Sequence, residues 1–223
     1  MAIQAVFFDL DGTLVDSNEF HVVAWARAFS ERGLVVARCA IREQIGKGAD
    51  QLVPALFPFL DDRQRESVAD VHDSVFRDHF LGLVQPFPRA SELLARVADA
   101  GAKAFFASSS EQKQVDHYVT LLHARAFLAG TISRDDVSKS KPAGDIFAAA
   151  LGKARVAAEN SLVIGDTPYD AIAAARCGIK TILLRSGGFS DDMLQSSRPA
   201  AIFTDIAELL GCWRESSLSE ISG

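Results

Sequence analysis

Cysteine is scarce in this chain, and its three copies, Cys39, Cys177 and Cys212, show no paired spacing. An odd, scattered set excludes a disulfide framework and a Cys-x-x-Cys metal or redox site, so the thiols are expected to be reduced and to act as small buried apolar residues. Long hydrophobic runs are missing as well: none approaches the roughly 20 residues that span a bilayer. Met1-Ala2-Ile3-Gln4 carries no basic segment of the secretory kind, and a cytoplasmic address is expected. Positive charge is in deficit, with 23 Lys and Arg against 29 Asp and Glu, a net −6. That balance argues against nucleic acid or an acidic membrane surface as partner, while a local basic pocket can still hold an anion. Repeats and low-complexity tracts are absent, apart from a polar tail over 214–223 that is expected to fray. What is present is size and apolar content: 223 residues, 48% hydrophobic, enough for one large domain plus an insertion.

Near the N-terminus, Ala5-Val6-Phe7-Phe8-Asp9-Leu10-Asp11-Gly12-Thr13 is an apolar run of strand character that ends on two acids and a turn glycine. Alternate side chains of an extended chain share a face, so Asp9 and Asp11 leave the strand end side by side. Such a pair repels itself unless a cation joins it. Mg²⁺, which takes few carboxylates and keeps several waters, suits a site that also binds phosphate. A solvated strand end is the plain alternative. An EF-hand is excluded, because glycine stands fourth rather than sixth from Asp9 and Phe20 occupies the place of the bidentate acid.

Three distant segments support the site. The apolar stretch Lys103 to Ala107 runs into Ser108-Ser109-Ser110 ahead of a helix-like segment, Glu111 to Leu122. Hydroxyls and free N–H groups at such a junction cradle phosphate, with Ser110 read as the helix N-cap and Ser108, beside Ser109, as the ligand. In Ser140-Lys141-Pro142, a lysine precedes a proline that can open the next helix, and a compact ammonium there is either a point-charge ligand for phosphate or a solvated surface lysine. In Leu162-Val163-Ile164-Gly165-Asp166-Thr167-Pro168, a strand again runs into an acid, and Asp170 lies one helical turn beyond Asp166 if Pro168 starts a helix.

In this order the four segments resemble the motifs of the haloacid dehalogenase superfamily, and the resemblance covers nearly the whole chain. It implies that Asp9 is a nucleophile and Asp11 a general acid/base. Ser108 and Ser109 with Lys141 then bind phosphate, and Mg²⁺ is held by Asp9, by Asp11 through its main-chain carbonyl, and by Asp166. Asp170 acts through water or orients its loop. Gly144 departs from the resemblance, since many relatives carry a second proline there. Dehalogenases and phosphonatases lack an aspartate at the Asp11 position, which leaves a phosphatase or a phosphomutase.

Strands at Ile3 to Phe8, Ala102 to Ala107, Leu162 to Gly165 and Lys180 to Leu184 alternate with helical stretches such as Ala90 to Ala100 and Ile146 to Ala154. The alternation predicts an α/β fold, a Rossmann-like doubly wound parallel sheet over residues 1–15 and 88–223 with its ligand crevice at the strand ends. Residues 16–87 read as an inserted all-helical cap, with helices over His21 to Arg32, near Ile41 to Phe57, and over Asp62 to Leu81. Its hinges fall near Val15-Asp16 and Gln85 to Pro88, and Leu56, Phe57, Phe59 and Leu60 are expected in its core.

Asp16 to Trp25 is similar to the first cap segment of β-phosphoglucomutases, whereas Gln44 to Asp50 is similar to a cap loop of phosphoglycolate phosphatases. Asp50 stands where a mutase presents arginine to a second phosphate, which favours a phosphatase. His21 is either a hinge residue that controls the proton of Asp11 or a helix-surface histidine. Lys47, between Gly46 and Gly48, either reaches a substrate carboxylate or is solvated. His72, His79, His117 and His123 read as structural or solvated, with His72 and His79 too widely spaced for a metal site. The expected partner is a small phosphorylated metabolite. A catalytically idle relative that binds phospho-ligands is the alternative from another class, and the sequence leaves the oligomeric state open.

Overall fold

The structure, a computed structural model, describes residues 2–221. In chain order its main elements are β1 (Ala5–Phe8), β2 (Val15–Asp16), α1 (Asn18–Glu31), α2 (Arg38–Arg42), α3 (Ala49–Leu56), α4 (Asp62–His79), β3 (Gln85–Pro86), α5 (Ala90–Asp99) and β4 (Lys103–Ala107). There follow α6 (Gln112–Leu121), β5 (Leu128–Ile132), α7 (Asp145–Ala154), β6 (Ser161–Gly165), α8 (Pro168–Arg176), β7 (Lys180–Leu184), α9 (Asp191–Ser196), β8 (Ala201–Phe203) and α10 (Ile206–Gly211).

Six parallel strands form one sheet in the order β5-β4-β1-β6-β7-β8. The central strand β1 is buried on both faces, which is why it reads as a continuous apolar run rather than an alternating one. Its pleat divides the core: Val6 and Phe8 pack in one cluster with Leu94, Phe106 and Ile164, and Ala5 and Phe7 in another with Phe105, Phe147 and Val163. From β1 the chain winds toward β4 and β5 on one side and later toward β7 and β8 on the other. The crevice outside the carboxyl ends of β1 and β6 is therefore a topological switch point. This is the expected fold class.

Two edge strands, β5 and β8, go beyond the sequence reading; Leu-Ala-Gly-Thr-Ile and Ala-Ile-Phe are short and only partly buried, with little periodic signal. The tail does not fray over residues 214–221. Leu218 is fully buried, Ile221 bridges Ile3 in parallel, and Ser222 and Gly223 lie outside the described residues. The cysteines are free as expected but not buried: Cys39 is exposed, and Cys177 and Cys212 are half-buried.

Between β2 and β3 the described elements are helices, α1 to α4, followed by one short 3₁₀ turn. They carry a core of their own, with Val22, Trp25, Phe29, Ile41, Leu52, Val53, Phe57 and Val68 in one cluster. The helix expected near Ile41 to Phe57 is two helices broken by a loop over 43–48, in which Gly46 sits at φ 96°. Phe59 is 74% exposed rather than part of that core. The expected hinges pair with each other, Val15 with Pro86 and Asp16 with Gln85, so a two-stranded antiparallel ribbon ties both ends of the insertion together.

Candidate active site

Two carboxylates that start side by side in sequence end in opposite surroundings. Asp9 follows the end of β1, and its Oδ1 lies 2.9 Å from Lys141 Nζ. Lys141 is fully buried; it donates to the carbonyl of Ala107 at 2.9 Å and sits 2.8 Å from Asp170 Oδ1. Asp166, at the end of β6, accepts from Thr13 Oγ1 at 2.6 Å and from Asn18 Nδ2 at 3.1 Å. Asp170 and Thr167 close a capping box at the start of α8, with Pro168 in the first turn as the sequence predicts. Asp9, Asp166 and Asp170 bring carboxylate oxygens within 4.8 Å of one another.

This cluster lacks positive charge. Burial pushes the Asp9 carboxyl up to about 7 despite the ammonium of Lys141. Burial, with Asp170 and Asp9 close by, holds Asp166 well above the usual carboxylate range. Burial opposes the charge on Lys141, but Asp170 and Asp9 outweigh it and keep the amine protonated. Three buried acids around one ammonium therefore make a donor set for a further hard cation. The buried Oδ1 of Asn18, beside Asp166, has no hydrogen-bond partner and suits a metal-bound water. The residues fit Mg²⁺, with Asp9, Asp166 and Asp170 as the carboxylates that would hold it. Asp170 lies in this cluster with Oδ1 on Lys141 and Oδ2 on Thr167, while the side chain of Asp11, expected at the metal only through its carbonyl, lies elsewhere.

Asp11 turns to the far side of the crevice. Its carboxylate accepts from Ser17 Oγ at 2.6 Å, Ser110 Oγ at 2.9 Å and Tyr118 OH at 2.9 Å, and His21 Nε2 lies 3.1 Å away. Burial would raise this acid; His21 and the hydroxyl donors overcome it and hold Asp11 well below the usual range. Gly12, at φ 80°, makes the turn immediately after Asp11, and a Cβ there would stand 2.2 Å from Asp166 Oδ2.

The two halves flank a cavity of about 60 Å³ lined by Asp9, Asp11, Ser108, Ser109, Ser110, His21, His72 and Arg134, among others. Its roof is the insertion loop 45–49. The sequence reading of the serines needs correction: Ser108 Oγ accepts the Ser110 N–H at 3.1 Å, while the Ser110 hydroxyl serves Asp11 and is no N-cap. Glu111 occupies the N-cap of α6 without a side-chain bond. Pro142 likewise opens no helix, since α7 begins at Asp145.

Three other assignments change. Asp50 does not line the cavity: its Oδ2 accepts the Ser140 N–H at 3.1 Å and so pins the insertion to the loop ahead of Lys141. Lys47 lines the cavity, but its ammonium donates to Gln44 Oε1 at 2.5 Å and lies 4.5 Å from the Tyr169 ring centroid. The space that Gly46 leaves is taken by Thr167 rather than by a ligand. His72 is buried, with Nε2 3.2 Å from His21 Nδ1 and Nδ1 2.9 Å from Asp73 Oδ1. A histidine within the apolar stripe Val68-His72-Val75-Phe76 of α4 is the sequence signal for it. Tyr118 and Gln114 were missed too, although their i, i+4 spacing puts them on one face of α6.

Comparisons with known proteins place the chain in a family. The family model for haloacid dehalogenase-like hydrolases matches residues 6–184. The chain belongs to that family. It is similar to a phosphoglycolate phosphatase of Yersinia pseudotuberculosis, 29% identical, with 94% of this chain and 92% of the relative covered. It is also similar to pyrophosphatase PpaX of Oceanobacillus iheyensis, 25% identical over 94% of this chain and 96% of the relative. Among solved structures, a hydrolase from Pseudomonas syringae superposes with a TM-score of 0.89 at 29% identity, covering 96% of this chain and 98% of that one. Family membership and relatives named as phosphatases bear out the expectation of a phosphatase. No helix among the described residues is long and apolar enough to cross a membrane.

Proposed function

We propose that this phosphatase hydrolyses a small phosphomonoester in two steps at Asp9, under a cap formed by residues 16–87 that closes on a core of residues 1–15 and 88–223. The observation that carries the reading is the split between Asp9 and Asp11. One acid is buried against a lysine within a cluster that can take a cation, and the other is held by hydroxyls and an imidazole across the same cavity. A carboxylate beside a cation site suits attack on phosphorus, and a carboxylate bonded to an imidazole suits exchange of a proton.

Asp9 attacks phosphorus in line and forms an aspartyl-phosphate, with Lys141 and the Ser108 and Ser109 junction facing the equatorial oxygens. Asp9, Asp166 and Asp170 would hold Mg²⁺, which would supply neutralising charge for the phosphoryl group. Asp11 delivers a proton to the leaving oxygen and then accepts one from the water that cleaves the acyl phosphate. The small cavity favours a compact leaving group. A phosphatase is preferred over a mutase because the lysine and the arginine that line the cavity are engaged, Lys47 with Gln44 and Arg134 with Asp73 and Glu111, which leaves a second phosphate without a free partner among them.

The test is phosphate release from p-nitrophenyl phosphate, phosphoglycolate and hexose phosphates, with Mg²⁺ and with chelator. Asp9→Asn should lower turnover by about a thousandfold or more with an unchanged circular dichroism spectrum. Near wild-type turnover in that variant refutes the nucleophile assignment.

A further inference from the structure

The helical insertion has an apolar face that the crevice does not use. Among the described residues the exposed large apolar side chains are Val35, Phe59 and Leu83. Phe59 lines a groove of about 420 Å³ together with Leu34, Leu60 and Val68, and Val35 follows Leu34 in the chain. The groove and the catalytic cavity share no lining residue. The Phe59 ring is held rather than loose, meeting the buried Phe57 ring edge-on at 5.9 Å. Arg65 donates to the carbonyl of Pro58 at 3.2 Å, the Leu60 N–H donates to that of Phe57 at 3.2 Å, and Asp61 with Gln64 closes the capping box of α4. An aromatic ring fixed in water gains by being covered and gives up little freedom when that happens.

Charge at the rim specifies what covers it. Arg32 and Arg63 both line the groove; Arg32 reaches the carbonyl of Ser67 at 3.4 Å, and neither guanidinium has a carboxylate partner among the described residues. That is unusual in a chain of net charge −6, where acids outnumber bases. The occupant must therefore bring an apolar side chain with a carboxylate close behind it. This chain carries such an element on the same face. Three residues after Phe59 stands Asp62, fully exposed, whose Oδ1 takes one bond of 3.3 Å from Arg65 while Oδ2 is left to water. Knob and groove, acid and base thus lie side by side, and a two-fold axis joins a face of that kind to itself.

We propose that this face pairs two copies of the chain, with Phe59 of each copy entering the groove of the other beside Leu34, Leu60 and Val68, and Asp62 of each meeting Arg63 of the other. The aromatic ring is the anchor, and the ion pairs at the rim set the register. Because the groove shares no residue with the catalytic cavity, the pairing stands apart from the phosphatase reading. The face is narrow for a stable interface, so the dissociation constant should lie at about 10–100 µM.

Sedimentation velocity of the full chain from about 1 to about 500 µM spans that range and should show monomer passing into dimer. Phe59→Ser should raise the dissociation constant by about tenfold or more. The circular dichroism spectrum and melting point of the dilute variant should match the wild type, since the side chain replaced is exposed. Charge exchange then tests the register. Arg63→Asp and Asp62→Arg, each alone, set like charges against each other across the axis and should be monomeric. An equimolar mixture of the two variants places opposite charges at both contacts and should recover the dimer, which a merely structural effect of either substitution would not do. A wild type still monomeric at about 500 µM overturns the proposal. So does a dimer that Phe59→Ser leaves intact, or a mixture that stays monomeric. Binding of an acidic amphipathic peptide by a chain that never pairs would assign the groove to a foreign partner and overturn it too.

Discussion

The two sides of the crevice solve the same problem, charge without water, in opposite ways. On the sheet side, three buried acids share one ammonium, and the deficit is left for a cation. On the cap side, each charged group has a partner, from Asp11 through the histidines to Asp73, Arg134 and Glu111, and the chain is internally satisfied. An unsatisfied cluster binds ligands, and a satisfied one orients groups. The cluster that binds has acids at the ends of adjacent strands, whereas the one that orients joins the facing sides of α1 and α4 to loop residues of the sheet domain.

The comparison breaks first, if it breaks, at Lys141. Removing the one cation of a buried ionic cluster costs about 3–5 kcal/mol, because the charges left behind are uncompensated. Lys141→Met in chelator should therefore lower Tm by about 10 °C, and Mg²⁺ should restore part of the loss. Arg134→Met removes a cation from the satisfied side, where the pairs are partly solvated, and should cost about 1 kcal/mol. Thermal melts of both variants decide it: equal losses would mean that the two sides do not differ in kind.

Acidity sharpens the contrast. Asp9 rises from 3.8 to about 7, so in metal-free protein its contribution to stability falls as pH climbs from about 4 to about 7. His72 moves the other way, from 6.5 down to about 4, chiefly through burial. The unfolded chain takes up that proton and the folded one does not, so stability falls as pH drops from about 6.5 to about 4, by roughly 3 kcal/mol. In chelator the raised carboxyls of Asp9 and Asp166 together outweigh His72, and stability should fall as pH climbs from about 4 to about 7. Saturating Mg²⁺, which binds the ionised acids, should uncover a rise in stability from pH 4 to 6.5, and His72→Gln should abolish that rise. Urea titrations at fixed pH measure it, and a rise that survives His72→Gln assigns the slope to another group.

These two sides were unequally legible in the sequence. Asp9, Asp11 and Asp166 stand next to apolar runs, so their placement at strand ends follows from local pattern, as do the fully buried β1 and Asp170 one turn into the helix that Pro168 opens. The direction in which Asp11 turns does not, because Gly12 and the donors Ser17, Ser110 and Tyr118 decide it from three separate segments. His72 meets His21 through the packing of α4 on α1, and Asp50 reaches Ser140 only once the insertion is seated on the sheet domain. Periodicity says which face of a helix is apolar, but not which residue of another helix it will face.

Lys47 marks the boundary between the two sides and carries the smallest expected effect. A cation between two glycines in a roof loop suggests a hand extended to the substrate, and on that view its loss would be selective for esters with a carboxylate. The structure gives the ammonium other employment, on Gln44 and over Tyr169, whose hydroxyl in turn donates to the carbonyl of Glu43. Such a cation–π contact is worth about 0.5–1 kcal/mol at a partly exposed site, so its loss loosens the loop rather than removing a ligand. Lys47→Ala should raise KM by about threefold or less, and by the same factor for phosphoglycolate and for p-nitrophenyl phosphate. A rise of about tenfold confined to phosphoglycolate would show that the ammonium leaves Tyr169 when substrate binds, and the roof would then belong with the binding side of the crevice rather than with the orienting one.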